Sequence, residues 1–173
     1  NCGGRDHAGL QVERQVIAWA AEMLGLPESA GGLLVTGSSM ANFIALLCAR
    51  RRALGAESRK AGLGTARLTG YASAGVHRCV PGAFDMAGIG ADALRRIPLD
   101  ADYSIDIAAL EAAIAADRKA GFQPFLLIGT AGSVDVGAVD DLAAMAEIAR
   151  REGMWLHADA AFGALAVLSP RFR

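Results

Sequence analysis

Four short segments of this chain put hydroxyl, imidazole or carboxylate groups beside residues small enough for a ligand to approach the backbone. The first is Thr36-Gly37-Ser38-Ser39, just ahead of a helical pattern. The hydroxyls of Ser38 and Ser39, with the free N–H groups of a helix start, can cradle a phosphate. The same serines could simply cap the helix. No Walker lysine follows, which disfavours a nucleotide P-loop. The second candidate is His77, after a strand-like run and Gly75, open to a structural or a catalytic role. The third is the turn Gly129-Thr130-Ala131-Gly132-Ser133, which could line a ligand or merely reverse the chain.

The fourth segment is the most informative. Met154-Trp155-Leu156 opens what reads as a fully buried strand, and Asp159 stands at its end. A buried carboxylate must meet a cation, a strong donor or water. Strand alternation puts His157, Asp159 and Ala161 on one face. A carboxylate followed by small residues suits a flat cationic ring lying over the strand end. Asp159 could instead cap a helix from Ala160. A metal pair of His157 and Asp159 has no third ligand with a motivated position, so no metal is assigned.

The elements that must position these groups alternate between helical and strand-like patterns. Helices are expected over about Leu10–Leu24, Met40–Leu54 and Arg78–Met86. Another begins after Ser104 or Asp106 and stops at Gly121, and a last one runs over Val139–Glu152 with Asp140 and Asp141 in its first turn. Strands are expected over Arg67–Ser73, Leu94–Leu99, Pro124–Ile128 and Met154–Asp159, with a further short apolar run at Leu33-Leu34-Val35. Residues 55–64 read as a solvated linker, and Arg50-Arg51-Arg52 as charge complementing a helix C-terminus. Strands separated by helices imply an α/β class with a mostly parallel sheet flanked by helices. In such sheets ligands gather at the carboxyl ends of strands, where all four candidates fall.

Composition narrows the function classes. With 17 basic and 18 acidic residues the formal net charge is −1, so no broad field favours nucleic acid or an anionic membrane. Cys2, Cys48 and Cys79 are scattered, without a CxxC pair, which points to a reducing, cytoplasmic setting. No apolar stretch is long enough for a membrane span and the opening is unlike a signal peptide. The chain does not begin with Met and ends abruptly after Arg171-Phe172-Arg173, so a piece of a longer protein is expected.

Taken in order, the segments resemble the pyridoxal-phosphate-dependent decarboxylases of the aromatic amino acid and glutamate type, of fold type I. The motifs are Thr36-Gly-Ser-Ser-Met-Ala-Asn42 with Ala45-Leu-Leu, Tyr71-Ala-Ser-Ala-Gly-Val-His77, Pro124-Phe-Leu-Leu-Ile-Gly-Thr-Ala-Gly-Ser133 and Trp155-Leu-His-Ala-Asp-Ala-Ala161. The likeness covers about Leu10 to Phe172, and it implies that residues 1–173 are part of the large, cofactor-binding domain. It also implies a carboxy-lyase acting on an L-amino acid, pyridoxal 5'-phosphate as cofactor, and a homodimer in full-length form. By the same resemblance Ser38 and Ser39 hold the cofactor phosphate, His77 stacks on the pyridine ring, Thr130 contacts the cofactor and Ala161 lies against the other face. Asp159 pairs with the ring nitrogen, which makes His77 and Asp159 the implied catalytic pair.

Three departures stand out. Met40 replaces the Glu of many relatives, and Asp6–Glu13 matches the family pattern only loosely. The family's cofactor-holding lysine follows a His downstream of the segment given, and neither Lys60 nor Lys119 matches it. Two alternatives therefore stay open: another fold type I reaction, such as carbon–carbon cleavage or transamination, and a non-catalytic fragment or pseudoenzyme.

Overall fold

A computed structural model describes residues 7–171. The described residues divide into two compact units, residues 7–36 with 164–171, and residues 37–163. In the first, α1 (Ala8–Met23) is N-capped by His7, whose Nδ1 accepts the Leu10 N–H at 3.3 Å. The segment after α1 carries Leu33 and Leu34, each 57% exposed, and Leu34 donates its N–H to Glu13 Oε1 at 3.0 Å. No strand forms at Leu33-Leu34-Val35, where the backbone pairs with a side chain instead of a sheet. Residues Ala164–Leu168 form a 3₁₀ turn.

The second unit is a four-stranded sheet in the order β2-β1-β3-β4, with β1 Leu68–Ser73, β2 Leu94–Ile97, β3 Gln123–Thr130 and β4 Trp155–Asp159. Every pairing is parallel, as the alternating pattern requires. The helices are α2 (Ser38–Leu54), α3 (Ser58–Ala61), α4 (Cys79–Met86), α5 (Ile107–Lys119) and α6 (Leu142–Glu152). Each face of the sheet carries its own core. Leu68, Ala72, Leu126 and Ile128 pack with Leu46, Ala49, Val80 and Phe84 from α2 and α4. Tyr71 and Leu127 pack with Leu110, Ile114, Met145 and Ile148 from α5 and α6. The α6 layer sits close because residue 129 is glycine: a Cβ there would lie 2.4 Å from Leu142 Cδ2.

Polar groups in these layers are matched. The buried Tyr71 hydroxyl donates to Asp117 Oδ2 at 2.8 Å, and Arg95 grips the same carboxylate through Nε and Nη2. Burial pushes the Tyr71 hydroxyl well above its ordinary range. Arg50, expected to answer only the helix dipole, also donates to the Ala87 carbonyl at 3.0 Å.

Three expectations are corrected. The stretch 55–64 is not a plain linker, since α3 forms there with Ser58 buried and its hydroxyl donating to Gly55 O at 2.7 Å. The last helix begins at Leu142 with Asp141 as its cap, accepting the Ala144 N–H at 2.9 Å, so Asp140 lies outside the helix and is buried. Finally, β4 is only partly buried, because β3 is its sole strand neighbour in the sheet order. Asp106, not Ser104, caps α5, with Ala109 N–H donating at 3.0 Å.

Candidate functional site

Parallel strands bring their carboxyl ends to one edge, and there a cavity of about 100 Å³ opens. Ser38, Gly75, His77, Thr130, Gly132, Ser133, Asp159, Ala161 and Phe162 are among its lining residues. The structure thus gathers five of the six candidate residues in one place. Ser39 stands beside Ser38 in the first turn of α2 but does not line the cavity. A second cavity of about 230 Å³ adjoins the first through Gly75, Thr130 and Ser133, and adds Tyr103, Asp135 and Asp140.

The start of α2 favours the anion-cradle reading over the capping one. Gly37 is the N-cap, with φ 114°, and no side chain makes a capping bond. Ser38 and Ser39 are helical residues whose N–H groups have no intrahelical acceptor, so the positive end of the helix is uncovered at the cavity.

Thr130 and Asp159 are directly paired across β3 and β4, and the Ala131 N–H donates to the Asp159 carbonyl at 2.9 Å. Asp140 clamps Thr130: its Oδ2 accepts the Thr130 N–H at 2.7 Å, and its own N–H donates to the Thr130 carbonyl at 2.9 Å. Its Oδ1 accepts the Ile105 N–H at 2.8 Å, tying β3 to the approach to α5. Burial raises the Asp140 carboxyl above its ordinary range, against those two amide donors. Thr130 Oγ1, by contrast, is buried without a hydrogen-bond partner among the described residues. An orphaned buried hydroxyl costs about 1–3 kcal/mol, which a ligand at this edge would recover.

Asp159 is half-buried. Its Oδ2 accepts from Asn42 Nδ2 at 2.9 Å and its Oδ1 from the Ala161 N–H at 3.3 Å. No helix starts at Ala160, since residues 161–163 form a turn, so the helix-cap reading falls away. That turn packs backbone on backbone against residues 131–132: a Cβ on Gly163 would lie 2.3 Å from the Ala131 carbonyl oxygen. His77 Nδ1 accepts the Cys79 N–H at 3.3 Å, which fixes the imidazole at the head of α4. Lys60 is on α3 and Lys119 ends α5, and neither lines the cavity.

The sequence pattern assigned no role to Asn42 or Phe162, whereas Ser133 belongs to the turn expected either to line a ligand or to reverse the chain, and it lines the cavity. Asn42 had a readable signal, because Asn42, Leu46 and Ala49 follow helical spacing and all face the core. A polar side chain on such a stripe needs partners, and Asn42 Oδ1 meets His157 Nε2 at 2.5 Å. Burial holds the His157 imidazole below its ordinary range, against the opposing charge of Asp159. The folded state therefore binds fewer protons than the unfolded one as pH drops below about 6.5. Stability is expected to rise with pH up to that value and then level off, read as urea midpoints of the full-length protein. In His157→Gln this part of the slope is expected to vanish.

Taken together, the edge offers N–H donors for an anion, a carboxylate for a cationic donor some distance away, and an imidazole and a methyl group to flank something flat. A family model described as the pyridoxal-dependent decarboxylase conserved domain matches residues 8–173. An aromatic-L-amino-acid decarboxylase of Bacillus atrophaeus is 38% identical over 161 residues, covering 93% of this chain and 32% of that protein. A histidine decarboxylase of Homo sapiens is 35% identical over 178 residues, covering 94% of this chain and 26% of its own length. The crystal structure of Oryza sativa TDC with PLP and tryptamine superposes with a TM-score of 0.86 at 34% identity, covering 95% of this chain and 35% of that one. The chain thus spans about a third or less of the length of these relatives.

Proposed function

We propose, from the premise that this chain belongs to the pyridoxal-dependent decarboxylase family, that the full-length protein decarboxylates an L-amino acid using pyridoxal 5'-phosphate held at the strand-end cavity. Residues 1–173 are then part of its cofactor-binding large domain. The observation that carries the reading is the pairing of a half-buried Asp159 with a buried, partnerless Thr130 hydroxyl at the same strand ends. These groups fit the cofactor: an anionic phosphate suits the uncovered start of α2, and a protonated ring nitrogen suits Asp159.

When bound, the cofactor supplies an electron sink for the bond broken at the substrate's α-carbon. The chain's own residues do the positioning. Ser38 and Ser39 anchor the anionic end by hydroxyl and N–H donation, and Asp159 keeps a proton on the ring nitrogen by offering it a fixed negative charge. His77 and Ala161 confine the ring from its two faces, and Thr130 Oγ1 gains the partner it lacks. Held by these residues, the cofactor and substrate would be fixed in one relative orientation, which is the protein's contribution to the reaction.

No catalytic lysine is assigned within residues 1–173, since neither Lys60 nor Lys119 lines the cavity. A homodimer and a cytoplasmic setting complete the proposal. The first is supported by the resemblance and the second by cysteines 48 and 79, which are free thiols. Among the described residues no helix is long and apolar enough to cross a membrane. The relatives named above act on aromatic amino acids and histidine, so these are the substrates to try first.

The test is carbon dioxide release by the full-length protein with the cofactor and each candidate L-amino acid. Stoichiometric carbon dioxide and amine are expected. Transamination or carbon–carbon cleavage without carbon dioxide would move the protein to another reaction of the same fold. Bound cofactor with no turnover of any amino acid would identify a non-catalytic binder.

A further inference from the structure

The half-exposed carboxylate of Asp159 needs something to hold its orientation, and the strand alone does not provide it. Its Oδ1 has only a 3.3 Å bond from the Ala161 N–H. The shorter contact, at 2.9 Å, comes from Asn42 on α2. Asn42 is 5% exposed, and the ionisable groups its amide reaches are Cys79, His157 and Asp159.

Hydrogen-bond chemistry fixes which way the Asn42 amide points. A carboxylate only accepts, so the NH₂ group must face Asp159, where it also reaches Cys79 Sγ at 3.3 Å. The amide oxygen is then turned to His157, 2.5 Å from Nε2, and an amide oxygen only accepts. The His157 proton must therefore sit on Nε2. The chain of donation runs from His157 to Asn42 to Asp159. Reversing the amide would set oxygen against carboxylate and lose the bond to Asp159, whichever tautomer His157 took.

Helical spacing adds a second point. Asn42 lies four residues, about one turn, after Ser38 on the same face of α2. One rigid helix therefore presents its open N-terminus to the cavity and, a turn later, grips the carboxylate at the other end. We infer that Asn42 is the positioning residue for Asp159, with His157 locking its amide, so that α2 sets the spacing between the anion-binding and ring-nitrogen ends of the site. This assignment rests on the cofactor reading given above.

The test is a double-mutant cycle on pyridoxal 5'-phosphate affinity, measured by equilibrium dialysis with the full-length protein. Asn42→Leu is expected to weaken binding about 10- to 100-fold, the range for losing a hydrogen bond to a charged group. If Asn42 acts through Asp159, the same change in an Asp159→Asn background should cost less than about threefold. A merely structural role would cost equally in both backgrounds, and that additivity would overturn the assignment. Asn42→Ala, which cannot overpack the site, is expected to show the same non-additivity, so poor folding of the Leu variant does not decide the matter. Wild-type affinity in either variant overturns the assignment alone. Absence of cofactor binding by the wild-type protein overturns both the assignment and the reading beneath it.

Discussion

Replacing Asp159 with Asn is expected to slow carbon dioxide release by the full-length protein about 100- to 1,000-fold, the loss typical of removing one preorganised electrostatic group. The substitution is nearly isosteric, and the Ala131 N–H bonds the Asp159 main-chain carbonyl, which does not change. Fold and sheet register should therefore survive. In the proposed site, what disappears is the negative charge opposite the ring nitrogen. A neutral amide would not hold a proton there, so the electron-accepting power of the cofactor would fall while the proposed phosphate anchor at Ser38 would remain. The expected signature is a large loss in kcat with a smaller loss in cofactor affinity, and the check is steady-state kinetics at saturating cofactor. An unchanged kcat would remove Asp159 from the chemistry.

Gly163→Ala is expected to be the most disruptive small substitution in the described residues. The added Cβ would stand 2.3 Å from the Ala131 carbonyl oxygen and 2.9 Å from its carbon, and both are backbone atoms that cannot rotate aside. Gly132, at φ +90°, packs less tightly against the same turn, its Cβ lying 3.1 Å from Phe162 Cδ1 and 3.2 Å from Gly163 N. The turn after β4 must therefore lift away from the turn after β3. That movement carries Ala161 and Phe162 out of the cavity wall. Overpacking of this kind costs about 1–3 kcal/mol, with a parallel loss of cofactor affinity. Urea unfolding measures the first and equilibrium dialysis the second. Gly82→Ala is the control: nothing lies within 4 Å of its Cβ, and inside α4 alanine should stabilise by up to about 1 kcal/mol.

The parts of this molecule that were legible in the sequence are those set by local rules. Asp106 is an ordinary helix cap, and the run Phe125–Ile128 has the composition of a strand buried on both faces. A parallel sheet forces strand ends together, so Ser38, His77, Thr130, Asp159 and Ala161 could be named before their contact was visible. What stayed hidden depends on partners distant along the chain. Asp140 looked like a helix-start acid because its neighbour Asp141 is one, and its true partners are the amides of Thr130 and Ile105. The one-turn helix at Ser58–Ala61 has too few residues for periodicity to register. Leu33 to Val35 resembles a strand locally, but a strand needs a neighbour. Asn42 was inside a quoted motif, yet its role depends on two residues more than a hundred positions away.

At this strand edge pyridoxal 5'-phosphate is proposed to bind with its ring nitrogen on Asp159 and its phosphate at the start of α2. A crystal structure of the full-length protein with the cofactor bound tests it most directly. The expected result is the ring nitrogen within hydrogen-bond distance of an Asp159 carboxylate oxygen, Asn42 on the other oxygen, and the phosphate at the Ser38 N–H. A cofactor bound elsewhere, or bound here with Asp159 turned away from the ring, would contradict it.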